Sequence, residues 1–344
     1  MRQLLNTLYV QTDRAYLHLD HDTLRVEVER QTKLQVPLLQ ITAVVCFGDI
    51  LLSPALLHRC ADDGRAVVWL DRNGRFKARL EGPLSGNVLL RRAQHLALSD
   101  PERRRAIARN LLAGKLRNGR HLLLRGARDA GPGTEDALPL RAAAAEIATI
   151  LARLPERDDL DILRGDEGDA ARAYFGAFGH LVREDRESLG FQWRSRRPPR
   201  DRMNSLLSFL YTLLRADCTA ALEGVGLDPQ VGFLHALRPG RPALALDLME
   251  ELRPIVADRL ALALVNRGQL RRDDFEEHPG GAVYLSETGR RTTIVAYQER
   301  KQEEVEHRLI GGKGPVGLVP HLQARLLARH LRDDLAHYPP FLAR

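Results

Sequence analysis

The chain has 344 residues, 44% of them hydrophobic and 28% charged, with a formal net charge of +7. No apolar run approaches the roughly 18 residues of a membrane-spanning helix, and Cys46, Cys60 and Cys218 are widely spaced with no C-x-x-C pair, which excludes a readable disulfide framework or zinc ribbon. The positive balance fits a polyanionic partner, although arginine-rich enzymes reach the same value without one.

In chain order, the first segments alternate like strands: Leu8–Thr12, Ala15–Leu19, Leu24–Val28, Ala43–Gly48 and Val67–Leu70, with turn dipeptides such as Asn73-Gly74 between strand-like pieces. A short helix from Pro54 to Asp62 interrupts them, because Leu56, Leu57 and Cys60 have helical spacing. After Gly86 the pattern changes to helical runs over 87–98, 102–124, 139–153, 168–188, 203–223, 242–265 and 317–335. Gly126 to Ala137 reads as a loop inside that region. Val283-Tyr284-Leu285 and Thr292-Thr293-Ile294-Val295 flank Glu287-Thr288-Gly289-Arg290 and read as a late β-hairpin near 283–295 with a basic tip. The expected class is α+β: a small β-rich N-terminal domain over 1–85, followed by a larger all-α domain over 86–344 that carries the chemistry. Unpaired strand edges make the first domain the expected dimerising part. Met1-Arg2-Gln3 runs straight into structured sequence with no signal-like stretch, so a cytoplasmic protein is expected.

The chemistry concentrates in three clusters: Glu167 in Gly165-Asp166-Glu167-Gly168, His235 in Val231-Gly232-Phe233-Leu234-His235, and Asp247 with Glu250 in Leu246-Asp247-Leu248-Met249-Glu250. One imidazole with two or three carboxylates is a hard-leaning donor set that suits Mg²⁺ or Mn²⁺ with open water positions. Each member also has a plain structural explanation. Glu167 precedes an apolar-periodic stretch and is expected in a first helical turn, where the dipole favours negative charge. Asp247 and Glu250, three apart on one helical face, could pair with Arg253. His235 ends an apolar turn and could be a hydrogen-bonded core residue.

Arg194, Arg196, Arg197, Arg200 and Arg202 crowd into a Pro-containing segment between two helices, a pattern suited to gripping phosphates or simply to a mobile surface loop. Gly311-Gly312-Lys313-Gly314 lacks the Ser or Thr and the helix of a P-loop and reads as a plain turn. Glu276-Glu277-His278 is broken by Pro279-Gly280-Gly281 and reads as a solvated connection. Ser205 and Ser208 have no Gly-x-Ser-x-Gly context.

These clusters and their spacing resemble the CRISPR-associated integrase family, the metal-dependent subunit of spacer acquisition. Gly165–Phe175 resembles its first acidic motif, Pro229–His235 its histidine motif, and Leu246–Pro254, led into by Arg238-Pro239-Gly240-Arg241, its second acidic motif. Similarity extends through Ser85–Gln94 and Tyr297–Gln302, and Leu4–Val10 with Gln323–Arg329 look most like the subtype I-C branch. Arg202 stands where that pattern has proline.

The resemblance implies Glu167, His235 and Glu250 as catalytic metal ligands for Mg²⁺ or Mn²⁺, with Asp247 as an added ligand or an outer carboxylate. It implies an endonuclease and integrase that inserts short DNA fragments into a CRISPR array by attack of a 3′-hydroxyl on a target phosphodiester. Arg196, Arg197, Arg200, Arg238, Arg241 and Arg253 are the weaker candidates for DNA contact. Two cuts along one target require more than one site, hence a symmetric oligomer; the resemblance implies a homodimer, two copies of which are bridged by a small companion adaptation protein. The alternatives are a structure-selective repair nuclease using the same residues and a nucleic-acid-binding scaffold with structural acids.

Overall fold

The computed structural model describes residues 7–72, 74, 76–82, 88–307 and 311–343. Asn73, Leu4–Asn6 and Ser85–Asn87, which figure in the sequence expectations, lie outside them. The chain divides into two compact units, Met1–Ser85 and Gly86–Arg344.

The first unit holds two four-stranded sheets. In one, β1 (Thr7–Val10), β5 (Ala43–Phe47) and β7 (Ala66–Leu70) run parallel, with Val10 opposite Cys46 and Cys46 opposite Trp69, and β8 (Phe76–Arg79) closes the edge antiparallel. In the other, β2 (Tyr16–Asp20), β3 (Thr23–Val28) and β4 (Gln31–Pro37) form an antiparallel meander and the short β6 (Leu51–Leu52) joins β2 in parallel. Alternation along β2 and β3 buries Leu17, Leu24 and Val26 on one face, as period 2 requires. Helix α1 (Pro54–Asp62) lies over the range expected: the Ser53 hydroxyl accepts from Leu56 N–H at 3.2 Å, Pro54 suits the first turn, and Leu56 and Cys60 drop into the core.

The second unit is mostly helical. After α2 (Val88–Ser99), the long α3 (Pro101–Ala130) starts at Asp100, whose carboxylate accepts from Glu102 and Arg103 N–H. It continues past Gly126, so the expected 126–137 loop is shortened to the stretch before α4 (Ala137–Arg153). Helix α5 (Leu160–Phe178) begins much earlier than expected, at the Asp159 cap, and Glu167 therefore sits in its middle rather than in its first turn. After the short α6 (Arg186–Leu189), α7 (Arg202–Val225) is capped by Asp201. The expected 242–265 helix is interrupted: α8 (Ala243–Glu250) passes through a π-helical turn, Arg253–Asp258, into α9 (Arg259–Asn266). Such turns recur where a side chain is re-aimed for function.

The late hairpin differs from the expectation. Its strands are β9 (Phe275–His278) and β10 (Ala282–Leu285), joined through Gly280 and Gly281 at φ +85° and +74°, which glycine adopts freely. Glu276-Glu277-His278 is thus strand rather than connection, with all three residues exposed. Thr292–Val295 belongs instead to α10 (Glu287–Gln302): Ser286 Oγ accepts from Gly289 N–H, Thr293 Oγ1 donates to the Gly289 carbonyl, and Thr293, Ile294 and Tyr297 are buried at helical spacing. Burial outweighs the strand preference of that β-branched run. A second antiparallel pair, β11 (Glu304–His307) with β12 (Gly312–Pro315), keeps Gly311 of the expected turn in a turn and places Gly312 and Gly314 in a strand before α11 (Val319–Leu331). Among the described residues, no helix is long and apolar enough to cross a membrane.

Candidate active site

Four segments of the second unit meet around Glu250: the middle of α3, the middle of α5, the loop 228–238, and the turn from α8 into the π-helix. The histidine loop is built round one carboxylate. Asp247, fully buried, accepts from Phe233 N–H at 2.6 Å and Leu234 N–H at 3.0 Å through Oδ2, and from His235 N–H at 3.0 Å through Oδ1. Gly232 lets the backbone come this close, since a Cβ there would stand 2.8 Å from Asp247 Oδ2 and 2.6 Å from the Ala243 carbonyl carbon. The loop's carbonyls are also held: Arg104 donates to Phe233, Arg164 to Leu234, and Gln94 to Asp228 and Val231.

Asp247 Oδ1 also lies 2.6 Å from His235 Nδ1. A carboxylate that already accepts backbone N–H groups is an acceptor, so Nδ1 carries a proton, and in the neutral ring the lone pair belongs to Nε2. Nε2 faces Glu250 Oε1 at 3.8 Å, too far for a hydrogen bond. This is the carboxylate–histidine arrangement that presents imidazole to a metal. Both Asp247 oxygens accept hydrogen bonds from the histidine loop, a geometry that suits the outer carboxylate of the two roles expected for Asp247.

Glu250 is 2% exposed. Burial pushes its carboxyl up, but Arg253 and Lys115 outweigh that and hold it at about 2. Arg253 Nη1 lies 2.9 Å from Oε1. Lys115 Nζ lies 2.7 Å from Oε2 and is the counter-ion of that buried oxygen. The same ammonium contacts Glu167 Oε1 across from α5. The donor set therefore fits a hard divalent cation: two carboxylates and one imidazole nitrogen. They are not gathered, however. Among the described residues, no three of His, Cys, Asp and Glu stand close enough together to hold an ion, and Lys115 is interposed between the two glutamates.

Below the site, Asp258 accepts from Tyr174 OH at 2.7 Å and Tyr211 OH at 2.6 Å. Burial pushes Asp258 up to about 6 against the pull of those donors and of Arg253 and Arg194. The Arg253 and Arg194 guanidinium carbons lie 4.9 and 5.3 Å from the Tyr211 ring centroid, within cation–π range. On the other side, Glu251 accepts from Tyr338 OH at 2.6 Å, Gln323 Nε2 at 3.0 Å and Phe341 N–H at 2.8 Å, tying the C-terminal segment to the end of α8. Burial nevertheless pushes Glu251 up to about 7.

A cleft of about 340 Å³ opens over the three expected ligands and is lined by Arg164, Arg196, Arg241 and Arg253. The basic segment divides. Arg196 reaches this cleft, whereas Arg194 turns inward to Asn204 and Ser208, Arg200 Nη1 donates to the Gly280 carbonyl, and Arg202 pairs with Glu277. Arg197 and Arg238 are exposed and do not line the cleft. Asp166, beside Glu167 in sequence, points away into a pair of cations, Arg153 and Arg157. Lys115, Arg164 and Arg104 escaped sequence reading. Arg164 had a signal, lying one helical turn before Glu167; Lys115, in a different helix 52 residues away, had none.

A family model described as "CRISPR associated protein Cas1" matches residues 8–299. The chain is 56% identical over 344 residues to "CRISPR-associated endonuclease Cas1 1" of Moorella thermoacetica, covering 100% of both chains. Its fold is similar to that of a casposase bound to integration product, at a TM-score of 0.84 and 24% identity over 97% of this chain and 92% of that one. It is also similar to a chain of a partial Cas6-RT-Cas1–Cas2 complex, at a TM-score of 0.66 and 25% identity over 98% of each.

Proposed function

Because this chain belongs to the Cas1 family of CRISPR-associated proteins, we propose that it is a metal-dependent DNA endonuclease and integrase that inserts short DNA fragments into a CRISPR array. The observation that carries the reading is the set His235, Glu250 and Glu167 under an arginine-lined cleft, with the imidazole lone pair aimed at Glu250 by Asp247. Glu167, His235 and Glu250 are the residues that would hold Mg²⁺ or Mn²⁺. Such an ion supplies Lewis-acid polarisation of a phosphoryl oxygen and acidifies an attacking hydroxyl.

The chain's own residues do the rest. Asp247 keeps the Nδ1 proton of His235 in place, so that Nε2 stays available. Arg164, Arg196 and Arg241 hold the phosphates that flank the reacting one, and Arg253 supports Glu250 from below. A fragment 3′-hydroxyl forms the new P–O bond as the target's bridging P–O bond breaks, and the proton passes from the attacking to the leaving oxygen. One phosphodiester replaces another, so no ATP is required.

The β-rich first unit is the dimerising part in this reading, and a small companion CRISPR adaptation protein bridges two dimers; the likeness to a chain of a Cas1–Cas2 complex supports that partner class. The similarity is broadest across the family and the subtype I-C branch is the finer proposal. The test incubates the protein and Mn²⁺ with a short duplex bearing free 3′-hydroxyls and a supercoiled plasmid carrying a leader and repeat. Joined products that vanish with His235→Ala support the integrase; hydrolysis without joining, with the companion protein present, supports a repair nuclease instead.

A further inference from the structure

Buried Glu250 faces a separate cation at each oxygen, and the two are not equally free to leave. Arg253 stands on the π-helical turn with its guanidinium against the Tyr211 ring, and the residues that follow it, Pro254–Asp258, are all buried. Lys115 arrives on a flexible stem from the middle of α3; the two side chains are similarly exposed, at 15% and 19%, so the difference lies in the stem and in the ring that Arg253 packs against. An ammonium is a compact, hydrated charge that re-pairs readily, whereas a stacked guanidinium is not. The Lys115 nitrogen contacts Glu167 Oε1 and lies 2.7 Å from Glu250 Oε2. Any divalent ion shared by those carboxylates needs the same place, and two cations a few ångströms apart repel strongly where water is scarce.

Resting on the metal-site reading above, we propose that Lys115 is a tethered competitor for the metal: it bridges Glu167 and Glu250 in the resting protein and has to swing out as the divalent ion enters. Its new partner is a phosphate oxygen of bound DNA. The adjoining cleft already gathers Arg164, Arg196 and Arg241 for phosphate, and an ammonium that leaves two carboxylates is restored by another anion rather than by open solvent. Metal loading and DNA binding are thereby coupled, each tightening the other by the same factor. Resting protein free of DNA then holds metal weakly.

The test measures Mn²⁺ binding by electron paramagnetic resonance of the free ion for wild type, Lys115→Met, Lys115→Arg and Glu167→Gln. Each is titrated alone and with a short duplex carrying 3′-dideoxy ends, which cannot be joined. Lys115→Met is expected to bind Mn²⁺ about tenfold more tightly than wild type without DNA, the scale of one relieved like-charge contact. Lys115→Arg is expected to stay as weak as wild type, and the tightening produced by duplex should shrink in Lys115→Met. In thermal unfolding, Lys115→Met should melt lower without metal and gain more on adding Mn²⁺; Lys115→Gln serves if the Met variant does not fold. Unchanged or weaker Mn²⁺ binding in the neutral variants, with Glu167→Gln still abolishing it, overturns the proposal and leaves the metal site standing. Mn²⁺ binding that is indifferent to Glu167→Gln overturns both.

Discussion

Replacing Asp247 by Asn separates an orienting carboxylate from a ligand. The native side chain accepts four hydrogen bonds, from the N–H groups of Phe233, Leu234 and His235 and from His235 Nδ1, with no exposed surface. Asn keeps the shape but turns one oxygen into a donor, so two of those four contacts become donor facing donor. A buried donor left unpaired costs about 1–3 kcal/mol, giving a loss of roughly 2–6 kcal/mol. In a unit of this size each kcal/mol moves Tm by about 2–4 °C, so the melting temperature of metal-free Asp247→Asn should fall by at least about 4 °C. The same change frees the His235 ring to rotate, and loss of such an outer partner weakens metal binding roughly 10–100-fold. Differential scanning calorimetry without metal and Mn²⁺ titration on the same samples read both effects. An unchanged Tm with complete loss of Mn²⁺ binding would refute the reasoning, because that is the signature of a ligand with no structural duty.

Three further outcomes follow from the geometry. Glu251 and Asp258 have folded-state pKa values raised to about 7 and about 6 from 4.5 and 3.8; their contribution to stability is full below about pH 4 and is lost as pH rises to about 7, by roughly 3 kcal/mol each. Glu251→Gln should flatten its share of that decline in melts taken between pH 5 and pH 7.5, and an undiminished slope would contradict the assignment. Arg241→Ala should weaken duplex binding and reduce the slope of log K against log salt by about one, without altering Mn²⁺ affinity measured in the absence of DNA. Gly114→Ala places a Cβ 2.7 Å from Pro340 Cβ, so the C-terminal segment must shift; a Tm fall matching about 1–3 kcal/mol is expected, and no change would mean that the segment is not clasped in solution.

What the sequence made legible was local. The helical spacing of Leu56, Leu57 and Cys60 announced α1, and the period-2 runs announced β2 and β3. The three acidic and histidine clusters were visible because each sits in an apolar pattern that a charge interrupts. Its errors came where the deciding partner was distant. Helix α5 was started late because its first turns are largely exposed at Asp161 and Ile162 and leave little apolar period, although Asp159 was a readable cap. Thr292–Val295 favoured a strand locally and became helix because the core takes Thr293, Ile294 and Tyr297 at helical spacing. Arg194 and Arg196 read alike in sequence, yet one turns into Asn204 and the other lines the cleft, a difference set by α7. Lys115 could not be found at all, because nothing within α3 marks which of its cations meets an acid from α5 and another from α8.

The electrostatics of the site resolve an apparent contradiction. DNA brings negative phosphate to a place whose chemistry needs negative carboxylates, and Glu250 stays ionised there despite burial, at about 2. In the proposed reading the cleft-lining arginines attract the polyanion and Arg253 covers Glu250 Oε1 at 2.9 Å, which leaves a gap in the compensating charge at Glu250 Oε2 and Glu167. A positive charge must fill that gap in every state of the protein. In the same reading a bound divalent ion would fill it, and without metal Lys115 does, contacting Glu167 and 2.7 Å from Glu250. A neutral residue at 115 therefore leaves two carboxylates facing the cleft, and metal-free DNA binding should weaken even as metal binding strengthens. Those opposite signs, read on one variant, distinguish a charge that exchanges places with the metal from one that merely props up α3.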